Sequence, residues 1–171
     1  GSMVVTESIR VRALGREIRR GIYRDFPTSF PRWSGLGRIE APFSIRTVSR
    51  DGQSEPFSLQ AIGGEVGRGG VRIRIGSEDV LLDPGVYEYE ITYETDRWVR
   101  FGNEGDGLHW NVTGDGWGFP IRSATARIIL RDSPSEPQLE AWIGEDASTD
   151  RVTRRWLPDL GTAEFATTTP L

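Results

Sequence analysis

Cysteine is absent from this chain, and histidine occurs once, as His109. Without thiols there are no disulfides, no thiolate nucleophile and none of the common zinc cages, and one imidazole cannot build a multi-histidine metal centre. Lysine is missing as well; all 21 basic residues are arginine, a bias we ascribe to coding preference rather than function. Against them stand 25 acidic residues, for a net charge of −4, so the chain lacks the global positive field that nucleic acid or an anionic membrane would demand. No apolar run approaches the ~18 residues of a membrane-spanning helix.

What is present suits a folded domain of ordinary size. The 171 residues are 36% hydrophobic, enough for a core without disulfide or metal staples, and we expect a single domain over residues 4–171. Twenty-one glycines and ten prolines favour short strands and turns over long helices. Gly1-Ser2-Met3 reads as the remnant of a tag. Strand pattern begins at Val4 without a lead-in, and Thr167-Thr168-Thr169-Pro170-Leu171 stops as abruptly, so a fragment of a longer protein is expected.

Side chains alternate across a strand, so period-2 patterns locate the sheets. Val5, Ile9, Val11 and Ala13 share one face of a first strand, with Glu7 intruding among them. Phe43 and Ile45 precede Asp51-Gly52, a dipeptide that tolerates the positive φ of hairpin turns, and Phe57 and Leu59 follow it. Gly63 to Gly70 is too glycine-dense to pack and reads as a loop; it lacks the Lys-Ser/Thr end of a phosphate-binding loop. Val71, Ile73 and Ile75 alternate with arginines, and Tyr87, Tyr89, Ile91 and Tyr93 with glutamates and Thr92, with Asp83-Pro84-Gly85 turning the chain between. Paired, these two strands would set arginine opposite glutamate, with their apolar faces lining the core. Further strands are predicted at Leu108–Thr113, Trp117–Ile121, Ala124–Leu130, Leu139–Ile143 and Glu164–Thr168, and a polar loop or helical turn at Asp146–Arg155. The fold expected is all-β, an antiparallel β-sandwich of about nine or ten short strands with little helix.

One segment stands apart. Trp98 to Ile121 holds three of the six tryptophans, the single histidine and a group of acids. Together with Gly21-Ile22-Tyr23-Arg24-Asp25-Phe26-Pro27-Thr28 and Val5-Thr6-Glu7, its run Leu108 to Ile121 resembles the YciQ-like family of predicted bacterial membrane proteins, whose soluble region is domain of unknown function 2207. The Arg50-Asp51-Gly52-Gln53 hairpin, the Val71–Ile75 strand and the Pro84-Gly85-Val86-Tyr87 turn lie in order between those motifs, so the resemblance covers essentially the whole chain. It implies an extracytoplasmic domain behind a signal peptide and ahead of transmembrane helices. It also implies one more strand before Val5 and another after Leu171, whose lack would leave sheet edges uncovered. The resemblance brings no catalytic residues.

The segment's chemistry is weighed residue by residue. Asp106 and Asp115, with Glu104, offer the carboxylate pair of a glycoside hydrolase, but glycine-flanked aspartates are turn residues by the same token. His109 would need a serine nucleophile, and no Gly-x-Ser-x-Gly elbow exists, so a structural or surface histidine is expected. Asn103, Glu104, Asp106 and Asp115 supply oxygens suited to calcium, at a spacing that matches no known loop. Trp98, Phe101, Trp110 and Trp117 could stack on sugars, although aromatics alternating with polar residues are usually core; Trp110 and Phe119 are assigned there, leaving Trp33, Trp117 and Trp142 for exposure. Asn111-Val112-Thr113 is an accidental sequon. Glu7, in an inward register, needs a buried partner, and Arg24 is the candidate for a clamp between the first strand and the Ile22–Pro27 loop.

The resulting expectation is a non-enzymatic extracytoplasmic binding or assembly module, without cofactor or metal, whose partner is a protein or cell-envelope ligand. Nucleic acid is excluded, and contact with the membrane is assigned to other parts of the parent protein. The alternative is a carbohydrate-binding or carbohydrate-cleaving domain. Ligand-binding candidates are Trp98, Asn103, Asp106, His109, Asp115 and Trp117.

Overall fold

A computed structural model describes residues 2–31, 36–63, 69–102, 105–114, 116–131, 136–144 and 148–171. The chain divides into two compact units, Gly1–Trp110 and Asn111–Leu171. The regular structure of both is almost entirely strand, and the helical content among the described residues is one 3-10 turn, Pro158–Leu160. The chain is all-β. Its strands, including several of only two or three residues, number thirteen among the described residues, more than alternation alone revealed.

The first unit holds β1 (Ser2–Ala13), β2 (Ile22–Pro31), β3 (Arg38–Glu40), β4 (Phe43–Arg50), β5 (Gln53–Ser54), β6 (Phe57–Ile62), β7 (Gly69–Ile75) and β8 (Gly85–Asp96), with a short pair, β9 (Val99–Arg100) and β10 (Gly107–Leu108). The long strands form two antiparallel sheets, ordered β1-β8-β4-β5 and β3-β2-β7-β6. β1 pairs with β8 along its whole length, from Ser2 opposite Asp96 to Ala13 opposite Gly85. The alternation in β1 is realised: Val5, Ile9 and Val11 pack against the core and Ala13 is buried. β2 and β7 of one sheet join β4 and β8 of the other in a single buried cluster of Ile22, Phe26, Val48, Ile73, Ile75, Tyr89, Ile91 and Tyr93. Each fully buried large side chain there contributes roughly 1.5–3 kcal/mol by leaving water. Phe26 of β2 meets Tyr93 of β8 edge to face, ring centroids 4.8 Å apart.

Asp51 and Gly52 take φ of +52° and +78°, the left-handed pair that a two-residue hairpin turn requires. The turn is tied to β8 by Asp51 N–H donating to the Glu88 carbonyl at 2.8 Å and Glu88 N–H donating to Asp51 Oδ1 at 2.9 Å. The hairpin is short. After β5 the chain crosses at Glu55-Pro56 to the other sheet, where Phe57 and Leu59 lie on β6, which among the described residues pairs with β7 alone.

Several sequence expectations need correction. The Val71–Ile75 and Tyr87–Tyr93 strands do not pair; they lie in different sheets, β7 beside β2 and β6, β8 beside β1 and β4. Arg72 instead binds Asp25 of β2 through Nε and Nη2 at 2.6 and 2.7 Å. Ile22–Pro31 is a strand rather than a loop. Leu108–Thr113 and Trp117–Ile121 are not strands beyond Leu108, because local bonds claim that backbone: Asn111 Oδ1 accepts from Gly114 N–H at 2.9 Å, and Trp117 Nε1–H donates to the Thr113 carbonyl at 2.8 Å. In Leu139–Ile143 only an isolated bridge, Ile143 to Ser148, forms.

The second unit carries β11 (Thr125–Ile129), β12 (Val152–Leu157) and β13 (Thr162–Thr167) as an antiparallel sheet with β13 in the middle. β12 begins within the stretch read as a polar loop, since Arg154 and Arg155 interrupt its apolar alternation. Ala163 is its buried apolar residue on the central strand. Phe119, assigned to the core, is exposed. Of the predicted glycine-rich loop, residues 64–68 lie outside the described residues, and Gly69-Gly70 begin β7.

Candidate functional site

The polar centre of the first unit is built by two strands from different sheets. Strand alternation points Glu7 inward between Val5 and Ile9 on β1, and points Arg24 inward between Ile22 and Phe26 on β2. The two side chains meet in a bidentate ion pair: Arg24 Nε donates to Glu7 Oε2 at 2.7 Å and Nη2 to Oε1 at 3.0 Å. Arg24 is 4% exposed and Glu7 12%. The Tyr93 hydroxyl, from β8, donates to Glu7 Oε1 at 2.8 Å. Arg24 Nη1 donates to the Asp25 carbonyl at 2.8 Å, and its guanidinium lies 4.6 Å from the Phe26 ring centroid.

Burial, then the neighbouring Glu7 charge and its hydrogen bond, hold the Tyr93 hydroxyl far above its ordinary pKa, so it remains a donor at any physiological pH. The carboxylate, guanidinium and phenol therefore satisfy one another, and the arrangement locks two sheets together rather than presenting a base to solvent.

Trp98 and Trp110 belong to an aromatic packing cluster in the first unit. Trp98 stands edge to face with Phe30 at 4.8 Å and with Trp110 at 4.6 Å, and its Nε1–H donates to Thr95 Oγ1 at 2.8 Å. Asp106 and His109 are exposed. Trp117, in the second unit, is half-buried, and Trp142 is exposed. Asn103 and Asp115, with Glu104 and Trp33, lie outside the described residues. Among the described residues no group of three or more acidic or histidine side chains is placed to hold a metal ion.

A feature that pattern reading missed lies at one end of the first unit. A groove of about 530 Å³ is lined by Arg19, Arg20 and Arg74, with Tyr23, Glu17 and Glu78. Its signal in the sequence is the run Arg10 to Arg20, which carries five arginines and one acid.

The family profile described as "Predicted membrane protein (DUF2207) N-terminal domain" matches residues 1–168. The uncharacterized protein YciQ of Escherichia coli (strain K12) is 28% identical over 153 residues, covering 88% of this chain and 23% of that protein. The chain thus spans under a quarter of the length of that curated relative. No solved structure matches. No helix among the described residues is long and apolar enough to cross a membrane. The chain belongs to the N-terminal domain family of the DUF2207 predicted membrane proteins.

Proposed function

We propose that this chain is an extracytoplasmic, non-catalytic binding or assembly module of a membrane-anchored protein. The observation that carries the reading is the match to an N-terminal domain of predicted membrane proteins over residues 1–168, beside a relative of which the matched part is only 23%. A strand-built module joined to a longer membrane protein suits recognition. The polar centre supports the non-catalytic part, because Glu7, Arg24 and Tyr93 are engaged with one another. The aromatic packing of Trp98 against Phe30 and Trp110 weighs against those two tryptophans serving as sugar platforms.

The test is a topology experiment in the parent protein. Alkaline phosphatase, active only outside the cytoplasm, and green fluorescent protein, bright only inside when exported in unfolded form, are inserted in turn immediately after Leu171. Phosphatase activity without fluorescence is expected. Fluorescence without phosphatase activity would overturn the extracytoplasmic placement.

A further inference from the structure

We propose that the groove formed by Arg19, Arg20 and Arg74 binds the phosphate group of an anionic ligand. The inference deepens the binding-module reading and rests on it.

The support begins with the backbone. Gly21 and Gly76 adopt φ of +122° and +120°, and they let the chain on either side of them touch. A Cβ at Gly21 would lie 1.7 Å from the Ile75 carbonyl oxygen, and one at Gly76 would lie 2.1 Å from the Arg20 carbonyl oxygen. Only glycine permits that approach. Leu82 N–H adds a 2.8 Å hydrogen bond to the Arg19 carbonyl. The segment that carries Arg19 and Arg20 is therefore pinned to the end of β7 and to the chain ahead of β8, while both side chains remain exposed. A fixed backbone under free guanidiniums lowers the ordering cost of closing on a ligand.

The charges are arranged to suit an oxyanion. Arg74 projects from β7 into the groove and pairs with Glu78, a carboxylate that is itself 79% exposed. Arg19 and Arg20 have no ion-pair partner among the described residues. Glu17 is the second acid on the wall, so three guanidiniums face two carboxylates. Guanidinium groups present planar, forked donors that match phosphate oxygens in pairs, and they stay charged at every relevant pH. Tyr23, 56% exposed, offers an aromatic wall for the part of the ligand that carries the phosphate. The groove is open to solvent and wide enough to admit a phosphate with the group that carries it.

The phosphate could arrive on a soluble ester or on a phospholipid headgroup, and the experiment separates the two. Pyrophosphate is titrated calorimetrically into the 171-residue chain, and co-sedimentation is measured with phosphatidylcholine vesicles, with and without phosphatidylglycerol. The variants are R19Q/R20Q, E78Q and, as a charge-loss control away from the groove, R46Q/R97Q, which also removes two arginines. Circular dichroism melts confirm that each is folded. Wild type and R46Q/R97Q are expected to bind pyrophosphate, R19Q/R20Q about tenfold more weakly and E78Q more tightly. Added salt weakens all of them.

Pyrophosphate that displaces the chain from phosphatidylglycerol vesicles assigns the groove to a headgroup; pyrophosphate binding without co-sedimentation assigns it to a soluble ester. No binding of either probe by wild type, or equal binding by wild type and folded R19Q/R20Q, overturns the proposal. The topology experiment reads only the side of the membrane, so the two readings fail separately.

Discussion

Glu7 on β1 and Arg24 on β2 share two hydrogen bonds, of 2.7 and 3.0 Å, across two different sheets. Their cost when broken follows from burial. Removing one partner leaves a charge without its counter-charge in a low-dielectric interior, a loss of ~3–5 kcal/mol. R24A and E7A are each expected to lower the unfolding free energy from urea melts by that amount, and R24K to rescue little, because an ammonium cannot supply both parallel donors. The double variant E7L/R24M is expected to regain much of the loss. A double variant as unstable as the sum of the single ones would refute the coupling.

Tyr93 and Tyr89 lie on the same buried face of β8, yet their hydroxyls differ. The Tyr93 hydroxyl donates to Glu7 at 2.8 Å, whereas the Tyr89 hydroxyl is buried near Arg50 and makes no hydrogen bond of good geometry among the described residues. Tyr93→Phe is therefore expected to cost ~1–2 kcal/mol, since it leaves Glu7 one donor short, and Tyr89→Phe to be neutral or mildly stabilising. Chemical denaturation of the two variants beside wild type reads the difference directly.

Alkaline pH should weaken the fold through the same tyrosines. Burial is the leading cause that raises both phenols above their ordinary value, reinforced at Tyr93 by Glu7 and opposed at Tyr89 by nearby Arg50. The unfolded chain releases these protons above about pH 10 while the folded chain keeps them, so stability is intact below that pH and falls above it. The slope reaches ~1.4 kcal/mol per pH unit for each group. Urea melts from neutral to strongly alkaline pH should show this decline, shallower in Tyr93→Phe; an unchanged slope in that variant would contradict the assignment.

Glycine substitutions should separate conformational strain from collision. At Gly52, with φ +78° and nothing within 4 Å of an added Cβ, alanine faces only the left-handed penalty of ~1–2 kcal/mol. At Gly21, alanine would also overlap the Ile75 carbonyl, and the end of the β2–β7 ladder must part. A loss above ~3 kcal/mol is expected there, measured as the shift in urea midpoint.

The sequence was legible where one rule sufficed. β1 and β8 alternate over twelve residues each, and their inward registers were readable directly, Glu7 included. Which strands pair was not readable, because the faces of β7 and β8 complement each other chemically while the chain places them in opposite sheets. β2 reads as a loop because its inward series, Ile22, Arg24, Phe26, contains a guanidinium, and Pro27 and Pro31 look like strand breakers. Between Leu108 and Ile121 the reverse holds: apolar alternation is present, but the glycines and Asn111 turn the backbone onto itself before a ladder forms. The arginine groove was visible as a local excess of charge, whereas the glycine contact that holds it joins residues 21 and 76 and exists only in three dimensions.

The register of β1 on β8 also dictates how the molecule bears load. Ser2 lies opposite Asp96, so tension applied at those two ends peels the strands apart rung by rung from that side. Five rungs in, the peeling front reaches Glu7, whose grip on Arg24 fastens the strand to the neighbouring layer. A pull transmitted through the first strand would therefore stall there, making this ion pair a mechanical stop as well as a thermodynamic one.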